Sequence, residues 1–237
     1  ACGLMDATGT SDSGPMRTGA PILDYSTAFA AAFAISAALF RRQEDGLGSF
    51  IDVSMLETGL CLMSSSITDY LKTGNVPQRR GNAANSRSPT AGSFACKSGI
   101  ISLGINEDSH FTKFAQVLER PDWLRDLRFS DLKARAIYAQ ELLAEIEIEL
   151  RKKSAEEWEL ILQTHGVPAA RLRSLQETLD SEQVQKREFV QTLKNGLSVP
   201  TLPFRFKGLP AYKSQRSPPK TNANKAEILD WLEEIEN

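Results

Sequence analysis

Between Ala28 and Phe40 the chain carries no charge and one polar residue, Ser36, in a stretch otherwise built of alanine, phenylalanine, isoleucine and leucine. A surface helix shows an apolar stripe on one side only, so this run belongs to a core helix. The pattern predicts a buried helix from about Thr27 to Arg42, closed by the basic pair Arg41-Arg42. The apolar run is too short to span a bilayer, which takes about 20 residues. A helix of this kind needs a sizeable core around it, and 237 residues suffice for one large domain or two modest ones.

Composition narrows the classes of function. Hydrophobic residues at 41% and charged residues at 24% exclude disorder along the whole chain. With 28 basic against 30 acidic residues the net charge is -2, which gives no electrostatic reason to expect nucleic acid or an anionic membrane as partner. A local basic cluster is still enough to hold a phosphorylated ligand. Cys2, Cys61 and Cys96 are far apart and odd in number, which argues against a disulfide framework or a zinc site and fits a reducing cytoplasm. Ala1–Thr10 has neither the basic nor the apolar segment of a secretion signal.

Along the chain, residues 1–23 read as a Gly/Ser/Thr-rich loop ending in Pro21-Ile22-Leu23. After the core helix, Glu44–Gly48 is a turn, and the alternation of Phe50–Met55 predicts a short strand. A second apolar helix is expected from Leu56 to Leu71, stopped at Gly74. Pro, Arg, Asn, Ser and Gly then dominate residues 76–91, a linker. Beyond it a hairpin is expected over Ser93–Cys96 and Ile100–Ile105, turning at Lys97-Ser98-Gly99. Helices are expected over Ser109–Leu118, Lys133–Lys152 and Ala155–Thr164, the last opened by the capping box Ser154-Ala155-Glu156-Glu157 and stopped at Gly166. Arg171–Thr178 and Ser181–Arg187 read as short helical or loop elements. A proline-punctuated strap from Lys194 leads to an amphipathic helix, Lys225–Ile235.

Few side chains suggest chemistry. Asp24 precedes the core helix, where it is either an N-cap or a carboxylate held ionised at a helix N-terminus and available as a nucleophile. Arg79, Arg80 and Arg87 are either a solvated linker or a grip for phosphate or carboxylate. His110 and His165 lack a second ligand at metal spacing, and no G-x-S-x-G elbow supports a Ser-His-Asp triad, though spacing alone leaves one open. Cys61, inside an apolar helix, reads as core rather than nucleophile.

In order, Gly3-Leu4-Met5, Thr8-Gly9, Gly14-Pro15 and Gly19-Ala20-Pro21-Ile22-Leu23-Asp24 resemble the approach to the catalytic aspartate in family III CoA-transferases, the CaiB/BaiF family. Ala37–Arg42, Gly46-x-Gly48, Ile51–Glu57, Arg80-Gly81-Asn82, Pro89, Trp158, Gly166–Ala169 and Pro203–Phe206 continue the likeness over nearly the whole chain. Departures stand at Ser49, at Ala83-Ala84 and at Asn222-Ala223-Asn224, positions where the family has Gln, a nearby His and a Gly-Glu-His signature.

The resemblance implies an α/β fold, present here as α+β. Residues 1–75 would be the end of the large domain with the aspartate and linker helices, 76–91 a linker, 92–190 a small α/β domain, and 191–237 a strap and helix returning to the large domain. Intact members begin with a nucleotide-fold segment, and none precedes Ala1 here, so the chain alone is expected to be inactive. Asp24 is the implied catalytic residue, Arg79 and Arg80 are the candidates for holding the cofactor, and no metal is implied. CoA and acyl-CoA are expected as substrates with no permanently bound cofactor. The partners are then an acyl-CoA and a small carboxylic acid, with no nucleic acid or membrane, in an interlocked cytoplasmic homodimer. CoA would move from donor to acceptor through an aspartyl-CoA thioester. The same family contains α-methylacyl-CoA racemases, and a non-catalytic accessory subunit is the remaining alternative.

Overall fold

Near the N-terminus a single helical turn, α1 (Leu4–Ala7), leads into a two-residue hairpin of β1 (Gly9–Thr10) and β2 (Gly14–Pro15). The structure, a computed structural model, describes residues 2–84, 86, 88–209 and 217–236. Contacts divide the chain into two compact units, residues 1–172 and 173–237.

The long helix α2 spans Ile22–Asp45, starting earlier and ending later than the apolar run suggests. Pro21 stands at its N-cap, and Gly46, at φ 74°, ends it in the left-handed conformation with its N–H on the Arg42 carbonyl. The expectation that this helix is buried fails: none of its residues is buried, and Phe33 is 78% exposed. Its main packing partner is α3 (Met55–Leu62), and one partner covers only one side of a helix that is apolar all round. Its 24 residues are long and apolar enough to cross a membrane by length and composition alone, although the shorter run within it is not.

Residues 50–54 do not form the expected strand. Ile51 and Val53 are half-buried while Phe50 and Asp52 are exposed, but Ser54 is half-buried and Met55 exposed, so the alternation stops at Val53, and no described strand pairs with it. The second apolar helix is also divided, into α3 and α4 (Ser64–Thr73), because Met63 leaves the helical conformation. Ser54 caps α3 by accepting the Glu57 N–H, and Gly74 at φ 73° ends α4.

The core lies farther along. β3 (Ala91–Ala95) and β4 (Ile100–Gly104) pair antiparallel with Ala95 opposite Ile100, their turn relying on Gly99 at φ 77°. Around them fold α5 (Asp108–Val117), the 3-10 turn Pro121–Leu124, α6 (Leu132–Ile137), α7 (Ala139–Leu150) and α8 (Ala155–Thr164). The single helix expected over Lys133–Lys152 is thus two, broken at Tyr138. β5 (Ala169–Arg171) adds a third strand beside β4, giving the order β3-β4-β5.

Phe94, Ile101 and Leu103 from the sheet meet Phe111, Phe114, Trp123, Leu142, Ile146, Leu150, Trp158 and Leu162 from the helices. Each such side chain contributes about 1.5–3 kcal/mol when fully buried. Both buried indoles are paired: the Trp158 indole donates to the Leu150 carbonyl at 2.8 Å, and the Trp123 indole to Glu145 at 2.7 Å. Arg135, 2% exposed, lies over the Phe111 ring at 4.3 Å and pairs with Asp108. Ser88 and Thr90 each donate to the Ile105 carbonyl at 2.8 Å, which fastens the end of the linker to β4's exit.

The second unit holds α9 (Leu175–Leu179), α10 (Glu182–Lys186), the hairpin of β6 (Val190–Thr192) with β7 (Ser198–Pro200), and α11 (Lys225–Glu236).

Candidate active site

Asp24 sits in the first turn of α2, two residues inside its start, and is therefore not the N-cap. Among the described residues its exposed carboxylate accepts no hydrogen bond and has no cation at ion-pair distance. The first turn of a helix presents backbone N–H groups without intrahelical partners, and its positive end favours an anion there. An exposed, unengaged carboxylate at that place is accessible to an electrophile.

The neighbouring Leu23 is half-buried and fixes this end of the helix. It reaches Gly59 of α3, the one buried residue of that helix. A Cβ at Gly59 would stand 2.6 Å from the Cys2 sulfur and 3.1 Å from Leu23 Cδ2, so glycine permits the close approach of α2, α3 and the N-terminal segment. Cys61, expected in the core, is exposed, because it points away from that contact.

One helical turn farther along α3 a cavity of about 740 Å³ opens, walled by Leu4, Gly9, Met63, Asn75, Val76 and Arg80 among others. A second, apolar cavity of about 340 Å³ adjoins it, shares Met63, Ser66, Val76 and Pro77, and adds Ile67 and Tyr70. The wall on the linker side is held by backbone contacts. The Gly81 N–H donates to the Gly9 carbonyl at 2.7 Å, and Ala83 bridges Gly92. Gly81 has φ 57°, and a Cβ there would lie 2.9 Å from the Thr10 methyl, so the Arg-Gly-Asn triplet has a local reason for its glycine.

The arginines of the linker separate here. Arg79 donates through Nη2 to Asp6 Oδ1 at 2.9 Å. Arg80 is half-buried, lines the larger cavity and has no carboxylate partner among the described residues. Arg87 lies outside the described residues. His165 turns Nδ1 to the Ile161 carbonyl at 2.8 Å, and His110 buries an Nδ1 without a partner among the described residues, so neither joins a serine and a carboxylate in a triad. The cavity itself was illegible in the sequence, because its walls come from two distant segments.

Residues 1–225 match the family described as CoA-transferase family III. The chain belongs to that family. A succinyl-CoA--D-citramalate CoA-transferase of Chloroflexus aurantiacus is 30% identical over 79% of this chain and 47% of its own length. A succinate--glutarate CoA-transferase of Agrobacterium fabrum is 29% identical over 99% of this chain and 59% of its own length. The chain thus spans about half to three fifths of these relatives. Among solved structures, a CAIB/BAIF family protein from Brucella suis is 26% identical with a TM-score of 0.78, over 97% of this chain and 60% of that one. Rv3272 from M. tuberculosis shares the fold at 22% identity and a TM-score of 0.78, over 90% of this chain and 57% of that one. The mixed helix-and-sheet class expected from the resemblance is therefore the fold observed.

Proposed function

We propose that the protein containing this chain moves CoA from an acyl-CoA to a carboxylic acid, with Asp24 as nucleophile. The observation that carries this reading is the unengaged carboxylate of Asp24 at the head of α2, in a chain of the CoA-transferase family. The Asp24 oxygen attacks the donor's acyl carbonyl, the C–S bond breaks, and CoA thiolate leaves a mixed anhydride. The thiolate then attacks the aspartyl carbonyl, expelling the donor acid and leaving an aspartyl-CoA thioester. The acceptor carboxylate attacks that thioester and releases the thiolate again. Attack of the thiolate on the acceptor's acyl carbonyl yields the new acyl-CoA and restores Asp24. An aspartate suits this cycle because it attacks without a general base and forms an anhydride reactive enough to turn over.

The names of the two curated relatives pair CoA transfer with dicarboxylic acids, which supports acids of that class as substrates. The 237-residue chain alone is expected to turn over little, since it spans 47% and 59% of those relatives.

Incubation of the whole protein with an acyl-CoA should load CoA onto the peptide that contains Asp24, and hydroxylamine should release it as the aspartyl hydroxamate. In Asp24→Asn the amide oxygen has no charge with which to attack, so adduct and transfer should both vanish. Folding should lose no more than about 0.3–1 kcal/mol, the worth of a negative charge in the first turn. Full activity in Asp24→Asn would falsify the proposal. Deuterium exchange at the acyl α-carbon without any covalent CoA would instead identify a racemase.

A further inference from the structure

Glycine inside a helix costs stability relative to alanine, so a buried one needs a reason in what it lets approach. Gly59 stands in the middle of α3 and is buried. A Cβ there would lie 3.1 Å from Leu23 Cδ2, and Leu23 immediately precedes Asp24 in the first turn of α2. We propose that Gly59 is a positioning residue for Asp24: it seats the Leu23 side chain, and that seat fixes the direction in which the Asp24 carboxylate points. The inference rests on the reading of Asp24 as nucleophile and names what holds it in place.

The burial pattern of α2 shows why a single seat matters. Its half-buried residues, Leu23, Ser26, Thr27, Ala30, Ala31 and Ala34 among them, recur three and four apart and so form one stripe along the helix. Leu23 is the one large side chain in that stripe, and the others are serine, threonine or alanine. Small side chains give a helix little to grip with, so Leu23 is what resists rotation of α2 about its axis. Successive residues of a helix stand about 100° apart around that axis, and the whole turn moves as one body. A rotation that lifted Leu23 from Gly59 would therefore carry Asp24 through the same angle.

Nothing else described at this end of α2 does the same work. The Thr27 hydroxyl donates to the Leu23 carbonyl at 2.6 Å, and the Tyr25 N–H donates to the Pro21 carbonyl at 3.2 Å. Both bonds lie within the start of the helix and turn with it. The Asp24 carboxylate accepts no hydrogen bond of its own among the described residues, so its aim is set by the backbone that carries it.

The test separates positioning from stability. In the whole protein, loading of CoA from an acyl-CoA onto the Asp24 peptide is followed in a single turnover over a range of acyl-CoA concentrations. Gly59→Ala should lower the maximal rate by about tenfold, since a misplacement of about 1 Å costs about a hundredfold and this one is smaller. The concentration giving half that rate should stay within about twofold, because the substrate's binding contacts are untouched. In Cys2→Gly/Gly59→Ala the collision with the Cys2 sulfur, 2.6 Å from the added carbon, is gone, and the melting midpoint should recover much of its loss. Loading should nevertheless stay slow against Cys2→Gly alone, because the new methyl still presses on Leu23. Where Gly59→Ala fails to fold, Leu23→Ala empties the seat without a clash and should slow loading in the same way. A wild-type maximal rate in folded Gly59→Ala or Leu23→Ala overturns the proposal. So does a rate that recovers together with the melting midpoint, which marks Gly59 as a packing residue, and so does a change confined to the half-saturating concentration. A wild-type protein that loads no CoA overturns the reading of Asp24 as nucleophile and this inference with it. Loading that is present and indifferent to Gly59 overturns this inference alone.

Discussion

Residues 2–84 and residues 88–172 belong to one compact unit, yet they solve the problem of burial differently. In the later stretch, sheet and helices close on eighteen mutually packed apolar side chains, with Ile101, Phe114, Leu142 and Leu162 fully hidden. In the earlier stretch Gly59 is the one buried residue, while Phe33 is 78% and Phe50 97% exposed. Yet α2 carries the uncharged apolar run Ala28–Phe40. A helix apolar all round reports the burial its sequence is built for, and α3 supplies one side of it. What holds the earlier stretch together is a close approach at Gly59 and backbone hydrogen bonds such as Gly81 to Gly9.

The sharpest way to break this contrast is to remove one aromatic side chain from each stretch. Trp158→Ala should cost about 3–5 kcal/mol in chemical denaturation, because a hidden indole leaves a cavity behind. Phe33→Ser should change stability by less than about 0.5 kcal/mol, as surface substitutions do. Comparable losses at both positions would mean that α2 is buried in solution.

A smaller effect tests the Gly59 contact. Gly59→Ala should destabilise by about 1–3 kcal/mol through overpacking against Cys2 and Leu23. In a Cys2→Gly background the clash with the cysteine is gone and only the tight approach to Leu23 Cδ2 at 3.1 Å remains, so the same change should cost clearly less, part of the remainder being offset by the helix preference for alanine. Thermal melts of the four proteins give the answer, and a cost that does not depend on residue 2 would refute the contact.

The smallest effect is a pH dependence of the later stretch. Hydrogen bonds from Arg120 hold Asp122 below the ordinary carboxylate range, those from Arg128 do the same for Asp126, and Ser154 does so for Glu157. A carboxylate with a lower pKa folded than unfolded contributes stability that is present above the unfolded value, about 4, and lost as pH falls through the folded one. The melting midpoint, followed through the buried Trp123 and Trp158, should be flat near neutrality and fall below about pH 4. Asp122→Asn should make that fall shallower. A midpoint that rises on acidification would contradict these pairings.

How much of this was legible in the sequence depends on the range of the interaction. The Ser154–Glu157 capping box, the stop at Gly166 and the turn at Gly99 are local, and each stands where the spacing predicts. A second box, Ser174 with Glu177, opens α9 and carries the same S-x-x-E signal. Pro21 could have marked the true start of α2, since proline gathers at helix beginnings. β5 gave no signal of its own: three residues after Pro168 become a strand because β4 offers them an edge. The larger cavity was equally silent, as its walls join residues 4–9 to residues 62–83. Asp24 could be singled out as a carboxylate near a helix start, but its role came from the resemblance and not from its spacing.

At the tip of the β3–β4 hairpin, the Ala155 N–H donates to the Ser98 carbonyl at 2.9 Å, and the Lys97 N–H to the Lys153 carbonyl at 2.9 Å. These two bonds knot a long excursion of the chain at its neck, with α5, α6 and α7 inside the loop. The entropy of closing such a loop grows only logarithmically, by about 0.6 kcal/mol for each doubling of its length. Family members can therefore lengthen the excursion, for instance at the exposed Ile137 where α6 gives way to α7, at little thermodynamic cost. The neck has no such latitude: Gly99 already faces the Ala155 methyl at 3.2 Å from where its own Cβ would stand, so evolution has room in the loop and almost none at the knot.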